Sequence, residues 1–197
     1  MKGNDSTKFR AAIERFDAAN AEDPTLVKQD GGAVPSELLY ARHMTRWLER
    51  LYPDASEPLR LAARAQHIRR WRVPRNSYPI DRAGYLKWRS DLYTFHADEA
   101  ARILRDVGYD EDTVARVRSL LKKERLKADA DTQALEDVAC LVFLETEFAD
   151  FAAKHDEEKV LRILRRTWTK MSPRGHEAAL ALDLPPRARS SLEKALS

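Results

Sequence analysis

The chain has 197 residues, 43% of them hydrophobic, with 35 Lys and Arg against 32 Asp and Glu for a formal net charge of +3. That length suits one domain with its own core, and so small a surplus of charge is no argument for nucleic acid by itself. One cysteine, Cys140, excludes a disulfide framework and a Cys-rich zinc site, and fits a reducing cytoplasm.

The N-terminal MKGNDSTKFRAA lacks the apolar run of a signal peptide, and no stretch approaches the ~18 consecutive apolar residues of a membrane span. Ser6-Thr7 can cap a first helix reaching about Asn20. Residues 21–34 read as a loop turning at Gly31-Gly32, and a second helix runs from Pro35-Ser36 to about Tyr52. A third is expected from about Glu57 to Trp71, stopped by Pro74, followed by a loop over 73–80. A long helix covers 82–107 and ends at Gly108; another runs from Asp110 to about Lys127 with acids in its first turn. Further helices span roughly 130–153, 157–171 and 186–196. The reading is one all-α domain over 1–197 with about seven to nine helices and no repeats or internal linker.

Four polar residues stand out against this pattern. His43 shares a face with Leu39 and Trp47, His67 with Ala63 and Trp71, and His96 with Leu92, Ala100 and Ile103. Asp137 lies below Leu141 and Leu144 on one stripe. Each alone reads as a satisfied core or boundary residue. Together they imply a polar cluster, because buried imidazoles and carboxylates need partners and a metal ion can serve several at once.

The segments YARHMTRWLERL, LAARAQHIRRW and ALEDVACLVFLE resemble the HD-domain superfamily of metal-dependent phosphohydrolases over about residues 37–150. That family is all-α, with ligands on an early helix, in a His-Asp doublet, and on a later helix. The spacings are similar: 24 residues from His43 to His67 (67 − 43) and 70 from His67 to Asp137 (137 − 67). More closely, QHIRRW, YLKWR, HADEAARIL and QALEDVACLVFLE resemble the DUF4202 family of uncharacterised proteins. The doublet reads Gln66-His67 instead of His-Asp. The resemblance then implies a mononuclear site of His43, His67, His96 and Asp137 holding Zn, Mn, Fe or Ni.

Candidate residues for the chemistry follow. Glu99, one turn after His96, could act as a base on a metal-bound water, with Glu145 a further candidate. Arg60, Arg64, Arg69, Arg70, Arg72 and Arg75 form a run with no acid between Pro58 and Ile80. Arg69, Arg70 and Lys87 are candidates for receiving phosphate. His155 and His176 read as exposed or at a helix start, and Cys140 as a core thiol. The six glycines allow no GxGxxG or Walker-type loop, and no Glu-x-x-His pair supports a ferritin-like di-iron centre. The expected function is hydrolysis of a nucleotide or other phosphoester. The alternative is a non-catalytic module on a degenerate HD scaffold, binding a ligand or, through the arginine run, RNA.

Overall fold

A computed structural model describes residues 6–29 and 31–196. Side-chain caps set where its helices start. Ser6 accepts from the Phe9 amide and opens α1 (Thr7–Ala21). A hairpin follows, β1 (Leu26–Gln29) against β2 (Gly32–Pro35), antiparallel with Val27 opposite Val34. Gly31 and Gly32 take φ of 101° and 144° there, a region open to residues without a Cβ. The hairpin lies inside the stretch expected as loop; strands of four residues carry too little pattern to be read.

Asp23, just before the hairpin, accepts from the amides of Thr25 and Glu37, both at 2.9 Å. That fixes the first turn of α2 (Ser36–Leu51). Ser56 caps α3 (Glu57–Ala65), in which Leu59, Leu61, Ala62, Ala63 and Ala65 are all buried. Asp81 caps α4 (Arg82–Asp106), where Gly84 packs so tightly that a Cβ would sit 2.2 Å from the Pro79 carbonyl oxygen. α5 (Glu111–Leu121), α6 (Ala130–Thr146), α7 (Phe148–Lys154), α8 (Glu157–Lys170), α9 (Pro173–Leu180) and α10 (Pro186–Leu196) complete the chain. The core gathers where α2, α3 and α6 meet, with α1 and α5 packed on α3 and α10 on α8. Among the described residues no helix is long and apolar enough to cross a membrane.

The all-α class holds, with ten α-helices among the described residues where seven to nine were expected. Three boundaries moved. α3 stops at Ala65, six residues early: Ile68 and Arg70 donate to carbonyls three residues back and Arg69 turns left-handed at φ 51°. Trp71 therefore sits in a single 3-10 turn, Arg70–Arg72. α5 ends at Leu121, not Lys127, because the connector 122–129 takes positive φ at Lys123, Arg125 and Lys127. The helix expected over 130–153 breaks at Glu147, which lets Phe143 meet Phe148 and Phe151 edge-on at 6.1 and 6.2 Å.

Candidate functional site

Where α3 gives way to its turn, the chain opens one wall of a cleft of about 240 Å3. α4 supplies a second wall from one helical stripe: Tyr85, Trp88, Arg89, Leu92 and His96. α6 supplies a third from Glu136, Ala139, Cys140 and Phe143, spaced by three and four. Tyr40 of α2, Lys123 of the connector and Lys170 of α8 close it. This lies just below the roughly 300–1,000 Å3 of common ligand pockets, so only a small molecule suits it.

Charge in the cleft is uneven. Glu136 is buried and takes both Lys123 and Lys170, the latter at 3.3 Å. Burial would raise its pKa, but the two ammonium groups outweigh that and hold it near about 2. One carboxylate thus faces two lysines. Arg70 adds a third cation, its guanidinium 5.0 Å from the centre of the Trp88 ring. Arg89, the fourth, is bonded to the Tyr93 hydroxyl. The Trp88 indole is itself fixed by donating to the Val73 carbonyl at 2.8 Å. Burial, then the neighbouring Glu136, push the Cys140 thiol up to about 12, so it is no nucleophile.

Three histidines approach one another in pairs. The His67 and His96 rings lie 5.8 Å apart and both line this cleft. His67 and the half-buried His43 line an adjoining cavity of about 280 Å3 with Glu37, Tyr40 and Arg70. His67 therefore borders both spaces, stacked on Tyr40 at 3.9 Å, with Nδ1 3.4 Å from the Glu37 carboxylate. Burial and the charge of Arg70 hold His67 well below its usual pKa. Glu37 moves the other way, raised by burial to about 7. Burial and Arg46 lower His43.

Asp137 is elsewhere. It is not part of the cleft lining and accepts from the Tyr52 hydroxyl at 2.6 Å, Gln133 at 3.0 Å, and the Ser172 amide at 2.7 Å and hydroxyl. That network joins α6 to the ends of α2 and α8, and a Cβ on Gly175 would press on it at 2.8 Å. Among the described residues no three His, Cys, Asp or Glu side chains are placed to hold a metal ion. His43, His67, His96 and Asp137 are thus not brought together as one ligand set. His67 and His96 are the pair that shares a space.

The other candidates divide likewise. Arg70 lines the cleft. Arg69 instead bonds Glu99 at 3.1 Å and Glu22 at 2.8 Å, so it and Glu99 neutralise each other outside the lining. Lys87 is exposed and paired with Asp91. Glu145 holds Arg46 and the Trp47 indole. The arginine run does not form one patch: Arg64 forks onto Asp17, Arg72 reaches Glu22, Arg60 lies over Phe9, and Arg75 binds the carbonyls of Tyr78 and Pro79. His155 and His176 stack on Phe151 and Trp168. The segment TWTKMSPRGHEAAL is the end of α8 and a plain start of α9.

Sequence reasoning missed Glu37, Lys123, Glu136 and Lys170. For Glu136 a signal existed: it shares the 136–139–140–143 stripe with Cys140. For Lys123 the chain gives none, since its position depends on a left-handed turn.

The family described as "Domain of unknown function (DUF4202)" matches residues 10–191. No curated protein and no solved structure matches.

Proposed function

From the premise that this chain belongs to the DUF4202 family, we propose that the cleft binds a small phosphorylated molecule carrying a flat ring, such as a mononucleotide. The observation that carries this reading is the shared carboxylate: Lys123 and Lys170 divide Glu136 between them, and Arg70 and Arg89 stand on the same lining. With Glu147 the lining holds two carboxylates against four cations, and Arg70 also lies 3.8 Å from Glu37; the surplus that remains favours an anion. Tyr40, Trp88 and Phe143 offer faces for a ring beside it. Glu37, neutral or charged near pH 7, and His67 3.4 Å from it support a second reading, hydrolysis of the bound phosphoester by acid–base catalysis. The HD-type metal set does not fit the side chains present, since Asp137 is fully engaged elsewhere, and no step is assigned to a metal.

Calorimetric titration with AMP, GMP, CMP and their unphosphorylated nucleosides tests binding. At least one nucleotide is expected to bind in the micromolar range and its nucleoside tenfold or more weakly. Failure of every nucleotide, or equal binding of nucleosides, overturns the reading. Release of phosphate by the wild type but not by Glu37→Gln would support hydrolysis. Turnover unchanged in Glu37→Gln, or none with any nucleotide, would sink it.

A further inference from the structure

His96 is 3% exposed and Gln66 5%, and both line the cleft. The His96 Nδ1 lies 2.9 Å from the Ile68 carbonyl oxygen. A carbonyl can only accept, so Nδ1 carries the ring proton and Nε2 is left as a bare lone pair. Burial keeps the ring neutral at ordinary pH, with its pKa lowered to about 3. Neither this Nε2 nor the Gln66 Oε1 has a partner. Nearby cations do not serve them: Lys123 is bonded to Glu136 and Arg70 lies over Trp88. The cleft thus has two buried acceptors and no donor for either. Two of the cations lie nearer solvent, with the Arg70 side chain 31% and the Lys170 side chain 38% exposed, while Lys123 is deeper at 10%.

We infer that the ring bound in the cleft carries an amino group, received at the buried end by His96 Nε2 and Gln66 Oε1, with the phosphate toward Arg70 and Lys170. This rests on the reading that the cleft binds a phosphorylated ring compound. An aromatic amino group has two N–H bonds and a nitrogen that accepts poorly, which complements two lone pairs. A ring carbonyl in that place would set a third lone pair against the two. Sites built on buried hydrogen-bonding groups discriminate strongly between such analogues, because the wrong one leaves the groups unpaired.

Calorimetry with two pairs of probes, AMP against IMP and CMP against UMP, tests this at constant phosphate. In at least one pair the amino form is expected to bind tenfold or more tightly, and His96→Phe is expected to bring the pair within twofold. Equal affinities in both wild-type pairs would overturn the inference and leave the anion reading standing, with water serving the two acceptors. Binding of none of the four would overturn the inference, and would overturn the anion reading with it if GMP fails as well. A preference that survives in folded His96→Phe would also overturn the inference. Should that variant not fold, 15N spectra of the wild type decide: the Nε2 resonance is expected to move upfield with the amino nucleotide and not with its oxo partner. An unmoved resonance overturns the inference.

Discussion

Glu136 and Asp137 are neighbours on α6, both buried, and the regions they serve differ in one respect. At the Asp137 carboxylate the account closes: four hydrogen bonds from Tyr52, Gln133 and Ser172 meet its two oxygens, only the Oε1 of Gln133 beside it is left without a partner, and the network joins α6 to α2 and the α8–α9 corner. Around Glu136 it stays open: one carboxylate faces two lysines, and two acceptors across the cleft have no donor. Buried polar groups that satisfy one another hold a fold together, while those left over on the wall of a cavity are where a ligand can complete the account. Burial of an acid on a helix therefore says little about its role until its partners are counted.

The largest effect should come from breaking the closed side. Asp137→Ala strands the Tyr52 hydroxyl and the Ser172 amide, and is expected to cost about 3–5 kcal/mol. Scanning calorimetry should find Tm lower by roughly 10 °C. Nucleotide affinity, measured where the variant is folded, should stay within about twofold; a large loss would place Asp137 in the site after all.

Next is the response to pH. His96 falls from 6.5 unfolded to about 3 folded, so the unfolded chain binds more protons between those values. Stability from this group is complete above pH 6.5 and is lost as pH falls toward 3. Glu37 acts oppositely: its folded pKa is about 7 against 4.5, so it lowers stability as pH rises through that window, by ~3 kcal/mol at most. Thermal unfolding from pH 3 to 8 should show Glu37→Gln gaining on the wild type between pH 4.5 and 7. Parallel curves would mean that Glu37 is not held in its neutral form.

On the open side, Arg70→Ala or Lys170→Ala is expected to weaken nucleotide binding about tenfold, near 1.4 kcal/mol, with Tm changed by no more than about 2 °C. A fall in Tm without loss of affinity would reverse the comparison and make the cations structural. The smallest effect belongs to Lys87→Ala. Its pair with Asp91 is exposed and screened by solvent, so neither Tm nor affinity should move measurably.

Much of the fold was legible because it is written in caps and stops. Ser6, Pro35, Gly108 and the acids after Asp110 announced helix ends that the structure keeps. What stayed hidden depended on backbone turned left-handed by residues that do not advertise it. Arg69 turns the chain left-handed just after α3 ends, where glycine would have been visible, and His67 lies in the turn between them, bordering two cavities instead of lying on a helix face. The candidate site was half legible. His67, His96 and Arg70, named from the sequence, line the cleft, whereas Asp137, read as buried from its stripe with Leu141 and Leu144, has its partners elsewhere, because an apolar stripe shows which residue is buried and not which partners await it. Lys123 and Lys170 come from segments far from α6 in sequence, and only the folded chain brings them to Glu136.

The connector 122–129 carries one more consequence. Lys123, Arg125 and Lys127 all hold φ between 57° and 76°, a conformation that costs each non-glycine residue on the order of 1 kcal/mol. A cost of that size gathered in a few residues is expected to let its amides exchange with solvent ahead of those in α5 and α6 on either side, which hydrogen exchange checks. Lys123 belongs to that stretch and meets Glu136 from it, so the charge on one wall of the cleft rests on backbone that is costly to hold in place.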